Sequence, residues 1–144
     1  MPTNVSTILI DATRQQVWDV ITKAELVKLW QFGSELKTTW KPGTEIRFRT
    51  AWEDKVFEQW GTVLEFTPPE SLKYTLFAPR PELEDKPENY FEMRYVLSDE
   101  GGKTRLEIFQ EDNRSGAVQE APQGEENAVL KGLKDLAENG LGLS

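Results

Sequence analysis

Neither cysteine nor histidine occurs among the 144 residues. The first absence excludes disulfides, thiol nucleophiles and thiolate metal sites. The second removes imidazole acid–base chemistry, so a hydrolase would have to work with carboxylates, Lys, Tyr or Ser. No metal and no cofactor is expected. Long apolar runs are missing too, since none approaches the roughly 18 residues of a membrane span. The opening Met1-Pro2-Thr3-Asn4 lacks the basic and then apolar build of a signal peptide. A cytoplasmic protein is the expectation. Basic charge is in short supply: 17 basic residues stand against 25 acidic ones, for a net charge of -8. That field repels a phosphate backbone or an anionic bilayer, so neither nucleic acid nor membrane is an expected partner. Arg47 and Arg49 are the tight basic pair in strand context, and a solvated sheet face accounts for them.

What is present is an ordinary mixture of 38% apolar and 29% charged residues, long enough for one domain over residues 1–144 with a real core. Residues 3–10 are β-branched and partly alternating, as in a strand. Thr13 and Gln16 form a capping-box pattern ahead of Val17, Trp18, Val20 and Ile21 at helical spacing. A second short helix is expected over Ala24 to Trp30, making a helical hairpin with one apolar side. Residues 34–38 are a further candidate strand. After the Pro42-Gly43 turn, Ile46, Phe48, Thr50 and Trp52 alternate with Glu45, Arg47, Arg49 and Ala51. Residues 56–66 carry large groups on both parities, so their inward face is open at this level. Gly61 in their middle suggests a bulge or sharp bend. Leu72, Tyr74 and Leu76 alternate after the Pro68-Pro69 turn, and Phe91, Met93, Tyr95 and Leu97 after a proline-rich loop over 79–89. The hairpin turn Asp99-Glu100-Gly101-Gly102 leads to Thr104, Leu106, Ile108 and Gln110. A second, polar loop spans 113–124. Val129, Leu130, Leu133, Leu136, Ala137 and Leu141 then mark one face of a terminal helix that begins near Glu125-Glu126. Asn139-Gly140 offers its stop. One antiparallel sheet with its helices on one side is an α+β arrangement.

The order of these marks carries a resemblance. Val17-Trp18, Trp30, Pro42-Gly43, Gly61-Thr62-Val63, Pro68-Pro69 with Leu72, Thr104-Arg105-Leu106, then Leu133 and Leu136, follow one another as in the SRPBCC (START-like, birch-pollen-allergen-like) superfamily. Within it the chain resembles the branch related to the activator of the heat-shock-protein-ninety ATPase, over about residues 3 to 138. The resemblance implies a helix-grip fold: a curved antiparallel sheet wrapped on a long C-terminal helix, with two small helices after the first strand. It also implies a cavity that commonly holds lipids, sterols, polyketides or other hydrophobic molecules. Some members are cyclases or aromatases, but the branch shares no catalytic motif, so no catalytic residue is assigned. The branch commonly has Gly-Trp early in the final helix. The matching positions here are Ala128-Val129, and a Val in place of a cavity-facing Trp reshapes the hollow at that end.

The candidate cavity wall follows from the apolar faces. Trp30, Phe48, Trp52, Tyr74 and Phe91 are equally suited to core and to wall, whereas Trp18 fits packed core. Thr50 and Gln110 are polar residues on apolar parities, and Tyr74 and Tyr95 end apolar rings in hydroxyls; all four suit the polar end of a ligand. Val63, Leu76, Met93, Val129 and Leu133 complete the expected wall. The strand carboxylates Glu58, Glu65, Glu107 and Glu111 show no spacing that singles out an acid–base pair. The first functional expectation is binding of a small hydrophobic ligand. The alternatives are a co-chaperone-like domain that docks on a protein partner or a second copy as a homodimer, and a cyclase or hydrolase acting in the cavity.

Overall fold

The structure is a computed structural model that describes residues 3–30, 35–52, 54–77, 79, 84–112 and 128–139. The expected polar loop over 113–124, the helix start at Glu125-Glu126, and Gly140 and Leu141 lie outside the described residues.

Strand β1 (Thr3–Ile10) leads into helices α1 (Arg14–Thr22) and α2 (Ala24–Trp30). Six strands follow: β2 (Glu35–Thr38), β3 (Glu45–Trp52), β4 (Lys55–Thr67), β5 (Ser71–Leu76), β6 (Phe91–Glu100) and β7 (Lys103–Asp112). Helix α3 (Ala128–Asn139) ends the described chain. The seven strands of the described residues form one antiparallel sheet in the order β1-β7-β6-β5-β4-β3-β2. Each strand from β3 to β7 pairs antiparallel with its predecessor, whereas β1 and β2 lie on opposite edges. The helical hairpin carries the chain from one sheet edge to the other. Helix α3 touches β1 at one edge and α2 touches β2 at the other, while α1 packs on β6, β7 and α3. The sheet is thereby gripped across its width.

Local chemistry explains the boundaries. Thr13 caps α1: its Oγ1 accepts from the Gln16 amide at 3.1 Å, and the Thr13 amide donates to Gln16 Oε1 at 2.8 Å. Gly101 and Gly102 join β6 to β7 with φ of 61° and 92°. Positive φ at both central residues suits the twist of a two-residue hairpin. Thr104 is buried at the start of β7 because its hydroxyl donates to the Ala12 carbonyl at 2.8 Å. This bond ties the approach to α1 onto the sheet.

Strand β4 resolves the face that its sequence left open. Val63 pairs with Tyr74, and Trp60 bridges Phe77, whereas Glu65 pairs with Lys73; one extra residue therefore enters β4 between Val63 and Glu65. The inward parity switches there, from Gly61 and Val63 to Phe66. The bulge thus lies beyond Gly61, not at it. Gly61 instead meets its neighbour closely, since a Cβ at that position would stand 1.8 Å from the Thr75 carbonyl oxygen.

Candidate functional site

Strand period places the site. Paired residues in a sheet point to the same face, so the register defines rows across the concave surface. Asn4, Gln110, Met93, Tyr74 and Val63 form one row from β1 to β4. Asp112, Phe91 and Leu76 form the next. Phe48 pairs with Gln59, and Thr50 with Phe57, at the β3–β4 end. The register therefore gathers Val63, Tyr74, Leu76, Phe91, Met93 and Gln110 on one surface, with Phe48 and Thr50 beside them. Trp52 lies on the same parity of β3 and Val129 on α3, but their side chains are outside the described set. Leu133 is fully buried on α3, and Tyr95 is buried one row below Tyr74.

Exposure changes along this surface. Val63, Leu72, Tyr74, Leu76, Phe91 and Tyr95 are buried, whereas Thr50, Met93 and Gln110 are half-buried. Phe57 shares the inward parity yet is 55% exposed, because it lies where β4 runs past the end of β5. Half-buried Met93 and Gln110 thus lie between two buried rows, Leu72 with Tyr95 on the helical side and Leu76, Phe91 and Asp112 on the other.

Aromatic rings line the closed part in a continuous chain. Trp18 packs on Phe66 at 5.3 Å between centroids, and Phe66 stacks on Trp40 at 5.3 Å. Trp40 reaches Tyr74 at 6.2 Å, and Tyr74 contacts both Phe48 at 6.0 Å and Tyr95 at 6.2 Å. Such offset and tilted pairs contribute about 0.5–1.5 kcal/mol each beyond area burial. Trp18 belongs to packed core, as its neighbours on the hairpin imply.

Two indoles also close the end of α1. The last carbonyls of a helix lack intrahelical donors. Trp30 Nε1 donates to the Val20 carbonyl at 2.8 Å, and Trp40 Nε1 donates to the Thr22 carbonyl at 2.9 Å. Trp40 does this from a left-handed backbone with φ of 60°, an uncommon conformation for a bulky residue. Sequence reading did not single out Trp40, because it belongs to no alternating run. Replacing Trp40 by Phe keeps a ring against Phe66 and removes the donor. A loss of about 1 kcal/mol is expected in denaturant unfolding, and a change under 0.3 kcal/mol would contradict the capping role.

The buried phenols are electrostatically distinct. Burial pushes the Tyr74 phenol well above its ordinary value of 10.0, and the neighbouring Tyr95 hydroxyl adds to the rise. Burial also raises Tyr95, while its hydrogen bond with Tyr74 acts in the opposite direction. Both groups are neutral in the folded protein through the physiological range. As pH climbs past about 10, the unfolded chain releases these protons first, so the folded state binds more protons and stability falls. The unfolding free energy is therefore expected to be unaffected by these groups below pH 10 and to drop above it. Tyr74→Phe should flatten that alkaline limb, which urea titrations at pH 8, 10 and 11 would read; a limb unchanged by the substitution would contradict the assignment.

The four strand carboxylates do not assemble on the concave face. Glu58, Glu65, Glu107 and Glu111 all occupy outward positions of their strands. Glu58 meets Arg47 and Arg49 there, and Glu35 meets Arg49, so the basic pair sits on an ion-paired outer face. A buried carboxylate on the concave parity is Asp112, beside Phe91. Its signal in the sequence was the continued alternation Ile108, Gln110, Asp112. Among the described residues no group of three or more Asp or Glu side chains is placed to hold a metal ion, and no helix is long and apolar enough to cross a membrane.

A curved antiparallel sheet closed on a C-terminal helix, with a helical hairpin after its first strand, is a helix-grip domain of the α+β class. The chain belongs to the family described as activator of Hsp90 ATPase homolog 1-like proteins, whose pattern matches residues 11–138. It is similar to the solution structure of a Cytophaga hutchinsonii protein, with 27% identity and a TM-score of 0.76, covering 99% of this chain and 97% of that one. A Chromobacterium violaceum protein shares the fold at 18% identity and a TM-score of 0.74, over 94% and 96% of the two chains. The Aha1 dimer from Colwellia psychrerythraea shares it at 15% identity and a TM-score of 0.67, over 97% and 98%. No curated protein sequence matches the chain.

Proposed function

We propose that the chain binds a hydrophobic or amphipathic small molecule in a hollow between the concave face of the sheet and α3. The observation that carries this reading is the pair of buried phenols, Tyr74 and Tyr95, at the centre of an otherwise apolar aromatic surface. Polar groups in such a place are costly unless they meet a partner, and the bond between the two hydroxyls engages only one of their two O–H donors. A guest with an apolar body and one polar group would rest on Phe48, Phe91 and Leu133 and meet the phenols or Gln110. The half-buried side chains of Thr50, Met93 and Gln110 would give such a guest its way in. Membership of the family supports a domain of the ligand-binding or co-chaperone type.

Thermal unfolding against a library of hydrophobic compounds, with native mass spectrometry of freshly purified protein, tests the reading. A ligand at about 100 times its dissociation constant adds roughly 2.7 kcal/mol. That corresponds to a rise of about 8 °C in the midpoint for a chain of this size. Tyr74→Phe with Gln110→Leu should reduce the rise. A library with no binder and no co-purified mass would overturn it.

The second reading is a co-chaperone-like domain that docks on an Hsp90-type ATPase, favoured by the description of the family. A cytoplasmic location fits both readings. Stimulation of the ATPase by micromolar protein would support the second, and an unchanged rate would end it. The neighbour solved as a dimer makes sedimentation velocity the companion measurement.

A further inference from the structure

The β3–β4 hairpin extends past the end of β5. Strand β4 begins at Lys55, but its pairing on the β5 side starts only at Trp60, which exchanges backbone hydrogen bonds with Phe77 at 3.2 and 2.7 Å. Residues 55–59 are therefore paired with β3 on one side, and among the described residues no strand pairs with the other. Backbone direction alternates along a strand. Because Trp60 points its N–H and C=O toward β5, Val56 and Glu58 point theirs the same way, into the open edge. Natural edges are usually blunted by charge, proline or cover. This one instead carries two adjacent exposed apolar residues, Val56 at 49% and Phe57 at 55%, on opposite faces of the strand. A groove runs along it, lined by Val56, Phe57, Glu58, Gln59, Trp60 and Pro79.

We propose that this edge of β4 receives an extended segment of a partner protein, added as a strand in line with β5, and that the segment is basic as well as apolar. The unpaired Val56 and Glu58 backbone groups supply the main-chain bonds, and alternate side chains of the segment meet the two faces. On the concave side an apolar residue covers Phe57. On the outer side the charge selects the partner. Asp85 is fixed there by Trp60 Nε1, which donates to Oδ2 at 3.0 Å, and by the Tyr90 hydroxyl, which donates to Oδ1 at 2.5 Å. Both are neutral donors, and no cation pairs with Asp85 among the described residues. A lysine or arginine beside Trp60 fills that vacancy, and the net charge of -8 disfavours an acidic segment and a second copy alike. The inference is independent of the hollow, because it uses backbone groups, outer-face side chains and the exposed Phe57, none of which belongs to the proposed wall.

Hydrogen exchange and amide NMR of the whole chain test it with three ten-residue peptides. One alternates Val with Lys, one alternates Val with Glu, and one is the Val–Lys peptide N-methylated at alternate residues. The Val–Lys peptide should slow exchange of the Val56 and Glu58 amides at least tenfold, and the other two should bind at least tenfold more weakly. Val56→Pro should abolish binding while sparing the β3 pairing, since the lost N–H faces away from β3. Asp85→Asn should weaken the Val–Lys peptide alone. Equal binding of the Glu or N-methylated peptide would overturn the proposal, as would Val56 and Glu58 amides already protected in the free protein. A dimer that forms without peptide and is lost in Val56→Pro would overturn it in favour of a second copy. The N-methylated peptide keeps the proposal testable should Val56→Pro fail to fold.

Discussion

Gly61→Ala is expected to lower the thermal midpoint by about 10 °C, a loss of roughly 3 kcal/mol or more. The added Cβ would lie 1.8 Å from the Thr75 carbonyl oxygen, 2.5 Å from its carbon and 3.0 Å from Leu76 Cα. All three are backbone atoms of β5, which is held between β4 and β6. Relief therefore requires β4 and β5 to part, at the centre of the sheet. Gly132 provides the opposite case. A Cβ there meets nothing within 4 Å, on an exposed position inside α3. Gly132→Ala should stabilise by about 0.5–1 kcal/mol, because glycine loses more backbone freedom on folding. Differential scanning calorimetry of the two variants should show shifts of opposite sign; equal shifts would contradict the close approach.

Leu133→Ala is expected to cost about 3 kcal/mol, within the usual 2–5 kcal/mol for a fully buried leucine. Leu130, Leu133 and Ala137 form the buried stripe of α3, spaced three and four residues apart. Leu29→Ala on α2 is the control, since Leu29 is an exposed position and its truncation should fall within about 0.5 kcal/mol. Urea unfolding of both variants measures the contrast. A Leu133→Ala loss below 1 kcal/mol would mean that α3 does not anchor the sheet.

The elements were legible wherever period and punctuation agreed. Thr13 and Gln16 announced the start of α1, and Gly101-Gly102 the tightest hairpin. The strands of β5, β6 and β7 alternate without interruption, so their inward residues could be named. Residues 34–38 proved to contain β2, and β1 took an edge beside β7. What could not be read depends on contacts distant in sequence. The β4 bulge moves the inward side from odd to even positions, so large groups on both parities are required by the fold. Gly61 was noticed, but its reason is the backbone of Thr75, which no local pattern encodes. Trp40 was missed because its role is to cap a helix that ended eighteen residues earlier. Phe57 reads as inward by parity and is exposed because β5 stops short of it. The candidate wall was legible to the extent that strand period set it: Val63, Tyr74, Met93 and Gln110 share a row. Whether those residues surround a space is decided by the separation of two layers, which a sequence does not state.

Xenon is the most direct probe of that space, because it enters apolar hollows without needing the natural guest. Methyl spectra of the protein under increasing xenon pressure should show saturable shifts at Val63, Leu76 and Leu133, the buried aliphatic residues of the proposed wall on sheet and helix. Those three resonances staying fixed while only exposed methyls such as Leu29 and Leu64 drift would contradict the hollow.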